Sequence, residues 1–174
     1  MHALHTRSRS PVRRWLVACL FLLAVALPAA VMAQGIPGLS PADQQDIRDF
    51  TFDQDVFQRL QGVVTEGRKM NIKKSHLDMS KVKSLDDMAN QVIEADPRIK
   101  PLLDKYRFSP RQFLVANLAL VSTVMTMRYA EQSGQADAVT GQLNPANVRF
   151  YKAHRQAMDE LVNAGAEQGQ AQGQ

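Results

Sequence analysis

The longest apolar stretch of the chain runs from Phe113 to Met127, where hydrophobic residues fall on nearly every side of a helix. That pattern is typical of a helix buried among others. Its ends carry local signals: Ser109 suits a helix cap, Pro110 suits the first helical position, and Gly134 suits the end. The pattern therefore predicts a central buried helix over about residues 110–132.

Two stripes run along this helix. One has large apolar side chains at alternating spacings of four and three: Leu114, Leu118, Val121 and Met125. The other has small side chains: Ala116, Ala119, Thr123, Thr126 and Ala130. Because the large stripe favours burial and small side chains let a neighbouring helix approach closely, we expect packing from both sides.

A membrane span is the alternative interpretation of this segment. Its bounding charges are Arg111 and Arg128, and at about 1.5 Å per residue they lie roughly 25 Å apart, short of a hydrocarbon core of about 30 Å. Asn117, Ser122 and Thr123 also interrupt the apolar run, and polar groups in lipid are costly. The sequence favours a buried core helix.

Apolar residues at helical spacing predict further helices on both sides of the central one. Four predicted helix starts pair a capping residue with proline: Ser40-Pro41, Asp96-Pro97, Ser109-Pro110 and Asn144-Pro145. No strand-like alternation extends beyond a few residues. The fold class predicted is all-α, a compact bundle of five to six helices around the central helix.

The N-terminal segment has the layout of a secretory signal peptide. It contains four arginines: Arg7, Arg9, Arg13 and Arg14. An apolar block, Trp15–Leu27, follows them, and small residues then lead to a predicted cleavage between Ala33 and Gln34. The alternative is a retained anchor, since residues 15–33 are just long enough to span a membrane. Pro28 and the small residues favour cleavage.

Three segments are predicted: a signal peptide over 1–33, a single helical domain over 34–164 and a disordered polar tail over 165–174. The whole chain carries a net charge of +4, but the signal segment holds four of its 21 basic residues, leaving 17 against 17 acidic ones. The basic character thus gives no reason to expect nucleic-acid binding. The one cysteine, Cys19, leaves too, so we expect a disulfide-free protein in the periplasm or outside the cell.

Catalytic residue types are scarce beyond the signal segment, where His76 and His154 are the histidines and no cysteine occurs. Neither a metal-ligand spacing, a nucleophile motif nor a phosphate-binding loop is present, so we expect no enzyme activity, cofactor or metal site. Asn117 and His154 both lie where the pattern favours apolar residues. We therefore predict that they form a buried polar pair that satisfies their hydrogen bonds.

The segment from Met70 to Lys83 has no clear periodicity and predicts a long loop. It contains four lysines that are candidates for contacting an anionic surface: Lys73, Lys74, Lys81 and Lys83. Acidic residues follow directly, which favours the simpler interpretation of a solvated loop with balanced charge.

These observations favour an exported envelope protein that is not an enzyme. We expect a helical bundle that acts through protein–protein interaction or structural support, with a membrane contacted only through the signal segment before cleavage. The alternative is a periplasmic carrier of small apolar or lipid-like ligands, because the apolar central helix and the eight methionines of the chain suit a pocket. A large apolar cavity beside the central helix would favour the carrier.

Overall fold

The computed structural model describes residues 38–72, 77–134 and 140–170, with side chains to residue 165. These residues form six α-helices and no β-strand, which confirms the predicted all-α class for the described parts of the chain. The helices are α1 (Pro41–Asp49), α2 (Gln54–Lys69), α3 (Leu85–Ala95), α4 (Ile99–Lys105), α5 (Pro110–Ser133) and α6 (Pro145–Gln170). A short 3₁₀ turn, Met79–Lys81, precedes α3. The predicted signal segment, 1–33, lies outside the described residues.

Local signals set most helix ends where they were expected. Ser109 and Gln112 form a full capping box at the start of α5, and Gly134 ends that helix in the left-handed conformation, with φ of +68°. The predicted cap at Asp96 is wrong, because α4 begins three residues later. Asp96 instead accepts hydrogen bonds from the backbone and guanidinium N–H groups of Arg98, closing a turn before the helix.

Helix α5 packs against each of the other five helices that the structure describes. Its small-residue stripe faces inward: Ala116, Ala119, Thr123 and Ala130 are all buried. Close approach at these positions lets neighbouring helices cover the larger side chains between them, Leu120, Val124 and Met127. Large residues of α2 and α6 complete the main core, including Phe57, Leu60, Tyr151 and Met158.

The expectation that α5 is packed from both sides is wrong for its C-terminal half. Of the large stripe, Leu114 and Leu118 are half-buried against a second cluster formed by Leu39, Val82, Leu85, Met88 and Val115. Val121 and Met125, further along the same stripe, are exposed. The helices pack where side chains are small, so the C-terminal part of the large stripe is left at the surface.

The last helix differs from its prediction in two ways. It contains a break at His154, whose φ of −127° and ψ of 24° are not helical. It also extends to Gln170, past the predicted end near residues 163–165, so residues 165–170 are helical where a disordered tail was expected. Alanine, glutamate and glutamine in this segment favour a helix and offset Gly165 and Gly169, so the helix continues without an apolar face to bury. Residues 171–174 lie outside the described residues.

Candidate interaction face on the central helix

Three large side chains form an exposed ridge on the C-terminal half of α5. Val121, Met125 and Tyr129 are 37%, 38% and 41% exposed, and they follow one another at a spacing of four residues. Residues four apart are neighbours on one face of a helix, so the three side chains are contiguous. We call this set the α5 ridge. Isolated exposed apolar residues are ordinary, and a contiguous set such as this one is a candidate contact surface.

The fold covers the start of this stripe and leaves its end open. Leu114 and Leu118 lie against the cluster that contains Leu85 and Met88 of α3, which packs on α5. Ser122 and Gln132, which flank the ridge, are exposed and uncharged. The apolar surface therefore begins where the cover from α3 ends and continues to the last turn of α5.

Both charged side chains near the ridge bond to α6. Arg128 donates from Nε to Asp159 Oδ1 at 2.8 Å and from Nη2 to Asn163 Oδ1 at 3.0 Å. Glu131 accepts from Arg155 Nη2 at 2.6 Å. These bonds hold α6 against α5 and engage the charges with partners on α6. The ridge is thus apolar and free of charge, as the centres of protein interfaces are.

Tyr151 of α6 lies behind this ion-pair network. Its hydroxyl group lies 3.4 Å from both carboxylate oxygens of Asp159, and its ring is buried in the core. Burial, followed by the negative charge of Asp159, raises the pKa of Tyr151 above its ordinary value. The phenol therefore stays neutral and donates a hydrogen bond to Asp159 from within the core.

Arg111, in the first turn of α5, fixes the other end of the helix. Its guanidinium group lies 2.6 Å from Asp43 and 2.7 Å from Asp46 of α1, and 3.0 Å from Asp86 of α3. One cation thus joins three helices. Arg111 is at the edge of the protein, with a third of its side chain exposed, whereas the side chain of Asp43 is only 5% exposed.

Asp43 is the buried member of this cluster and has further donors. It accepts hydrogen bonds from Ser40 Oγ at 2.8 Å and from the Leu85 N–H group at 3.3 Å. Burial alone would raise the pKa of Asp43, but the hydrogen bonds from Ser40, Arg111 and Leu85 outweigh it and hold the pKa below its ordinary value. The carboxylate is charged at neutral pH and stabilises the joint between α1, α3 and α5.

A shallow groove of about 630 Å³ lies between α2 and α4. It is lined by Gln61, Gly62, Thr65, Glu66, Lys69, Met70, Lys105 and Tyr106. Glu66 accepts from Lys105 at 2.6 Å and from the Tyr106 hydroxyl group at 2.9 Å, and these bonds, the Lys105 bond foremost, lower the pKa of Glu66. The carboxylate of the groove is thus already engaged in joining the two helices.

A cavity of about 40 Å³ borders α5. It is lined by Ile47, Arg48, Ala119, Ser122, Thr123, Gln142, Leu143, Asn144 and Asn147. A volume of this size holds a few water molecules at most and is far below the hundreds of Å³ typical of small-molecule sites. This cavity is too small to hold the apolar or lipid-like ligand of the carrier alternative.

The predicted polar pair is not joined by a hydrogen bond in the described parts of the chain. The ring of His154 lies against two aromatic rings, 4.3 Å from the centroid of Phe150 and 6.3 Å from that of Phe57. Asn117 is half-buried on α5 and flanks the large stripe. Their mutual role stays a prediction.

Four lysines were predicted to contact an anionic surface, and two of them, Lys73 and Lys74, lie outside the described residues. The residues of the predicted cleavage site, Ala33 and Gln34, lie outside them as well. Lys81 and Lys83 are exposed, and Lys81 lies 3.2 Å from Asp78. No group of three or more histidine, cysteine or acidic side chains suited to a metal ion occurs among the residues that the structure describes.

The sequence pattern does not indicate the α5 ridge as a surface. Hydrophobicity ranks Val121 and Met125 as core residues, and only the small-residue stripe on another side of the helix signals which face is packed. By length and composition α5 would also suffice to cross a membrane, yet 44% of its most apolar 18-residue window is buried inside the protein.

Comparisons with protein-family models, curated proteins and solved structures give no match.

Proposed function

We propose that this chain is an exported, non-enzymatic helical protein that binds a partner protein through the α5 ridge. The exposure of Val121, Met125 and Tyr129 on an otherwise well-packed central helix is the observation that carries the proposal. Methionine and tyrosine are enriched at protein interfaces, where charged residues are depleted. Because ion pairs join both ends of α5 to neighbouring helices, a partner that binds the ridge has little backbone to order.

Export rests on the arrangement of arginines, apolar block and small residues before Gln34, which supports delivery to the periplasm or the cell exterior. We place the carrier alternative second, because the cavity described beside α5 measures about 40 Å³ and is too small for a lipid-like ligand. Structural support of an envelope assembly remains within the proposal, since it also requires a contact face.

Site-specific photo-crosslinking in intact producing cells tests this function. A photoreactive amino acid replaces Val121, Met125 or Tyr129 in turn, and Lys152 and Thr65 serve as exposed control positions on other helices. We expect protein adducts of defined mass from the ridge positions and none from the controls. Equal labelling at ridge and control positions, or no adduct at the ridge, would contradict the proposal.

A further inference from the structure

Helix α1 is held in the fold chiefly by polar contacts. Among its nine residues, all of which the structure describes, the buried one is a carboxylate, Asp43. Ile47 is its one large aliphatic side chain, and it is half-buried. A helix of this length is marginal by itself in water. Because apolar burial is the dominant favourable term in folding, α1 is bound more weakly than the helices whose large side chains fill the main core.

The polar contacts lie at both ends of α1. At its start, Asp43 pairs with Arg111 of α5 at 2.6 Å. At its end, Asn144 and Asn147 both donate to the carbonyl group of Phe50, at 3.3 and 2.7 Å. When α1 is displaced, water replaces the partner in each bond, so the net loss per bond is small. Displacement also brings Asp43 and Arg111 into water together, and no charge stays buried without its partner.

Apolar side chains anchor the chain on either side of α1. Leu39, before the helix, is 6% exposed within the second cluster, and Phe52, after it, is 4% exposed within the main core. The helix itself spans about 14 Å, whereas the chain from Leu39 to Phe52 can reach about 40 Å when extended. The segment between the two anchors can therefore unwind without pulling either anchor out of its cluster.

The cavity of about 40 Å³ lies between α1, α5 and the start of α6. Ile47 and Arg48 of α1 form one of its walls, and the others carry the hydrogen-bonding side chains of Ser122, Thr123 and Asn147. Thr123 is 2% exposed and Asn147 is 3% exposed. Cavities that are polar and of this size suit water. The surface of α5 at this wall is thus small and polar, and its exposure to solvent carries little hydrophobic cost.

We propose that α1 is a lid, which opens over this polar site by local unwinding while the main core stays folded. Elements with few buried apolar contacts are the ones that open without global unfolding. The open site offers hydroxyl and amide groups from Thr123 and Asn147, so it admits water and other small hydrogen-bonding molecules. Lid opening requires no partner at the α5 ridge, and it therefore goes beyond the proposed function.

Thiol labelling measures the opening. In a full-chain Cys19→Ser background, the introduced cysteine is the sole thiol. Thr123→Cys places it on the wall of the cavity, and the control Val124→Cys places it in the main core, where Val124 is 0% exposed. An aromatic disulfide reagent is far larger than the cavity, so it reaches either thiol only after an opening. Under native conditions we expect modification at position 123 to be at least about tenfold faster than at position 124.

Two second changes separate lid opening from global unfolding. Arg111→Met removes a contact that holds α1 and should speed labelling of Thr123→Cys at least about tenfold. Leu60→Ala, in the main core on α2, should speed labelling of Val124→Cys and leave that of Thr123→Cys unchanged. Equal rates at positions 123 and 124 would overturn the lid. So would a rate at position 123 that responds to Leu60→Ala and not to Arg111→Met.

Hydrogen exchange of the unmodified chain, read by mass spectrometry, needs no substitution. The amides of α1 should exchange faster than those of residues 113–124 in α5. Low concentrations of urea should hardly change the rate in α1, because a local opening exposes little surface. Circular dichroism melts establish that each cysteine variant is folded. Equal protection of α1 and α5, with the same dependence on urea, would show that α1 opens only when the whole protein unfolds and would contradict the lid.

Discussion

Removal of the Arg111 side chain should destabilise the protein more than the loss of any exposed ion pair. The change Arg111→Met keeps an aliphatic stem but leaves the buried Asp43 carboxylate without its cation. Breaking a fully buried pair in this way costs about 3–5 kcal/mol. Asp43 keeps its hydrogen bonds from Ser40 and Leu85, and Arg111 is one third exposed, which reduces the cost. We expect a loss of about 2–3 kcal/mol in the free energy of unfolding.

Urea denaturation of the full chain, followed by circular dichroism at the helix band, measures this loss. A thermal melt gives a second reading of the same loss, because in a domain of this size each kcal/mol of lost stability lowers Tm by roughly 3–5 °C. Lys100→Ala, which removes an exposed pair with Asp104 at 2.9 Å, is the matched control and should change little. Asp43→Asn combined with Arg111→Met should recover part of the loss, because no uncompensated charge stays buried. An Arg111→Met protein as stable as the Lys100→Ala protein would refute the reasoning.

Three further predictions follow from the same contacts. Gly62→Ala should destabilise the protein by about 1–2 kcal/mol, because an added Cβ would lie 2.1 Å from the Tyr106 ring. Gly67→Ala in the same helix meets only an ordinary contact and should stabilise the protein by up to about 1 kcal/mol. Thermal melts should therefore show a lower Tm for the first variant and a higher Tm for the second. The lowered pKa of Asp43 contributes stability that is present above its unfolded-state pKa and lost as pH falls through the folded one, so unfolding free energy should decrease below about pH 4 and do so less in Asp43→Asn. The intact mass of the exported protein should correspond to a chain that begins at Gln34; a mass that includes the first 33 residues would show a retained anchor.

Local chemistry made most of the helix starts and the extent of the central helix predictable. Ser109 caps the backbone within its own turn, and Gly134 provides a left-handed end, so both signals are readable within a few residues. The small-residue stripe was also visible. Its consequence was not, because sequence periodicity ranks faces by hydrophobicity while packing selects them by shape, and Val121 and Met125 were left outside as a result.

Contacts over long sequence distances were beyond prediction. Arg111 bonds to Asp43, 68 positions away, and to Asp46, 65 positions away, and nothing in the local sequence pairs them. The prediction that Asn117 meets His154 relied on polarity alone. The ring of His154 lies 4.3 Å from that of Phe150, a contact that polarity did not indicate, and the pairing with Asn117 stays a prediction.

Oxidation of methionines, read by mass spectrometry, tests the outward orientation of the α5 ridge most directly. Met125 is 38% exposed and Met127, two residues further along the same helix, is 4% exposed. In dilute native protein, brief peroxide treatment should oxidise Met125 well before Met127, and both should react alike after unfolding in urea. Equal protection of the two in the dilute native protein, or faster oxidation of Met127, would place the ridge inside and contradict the account.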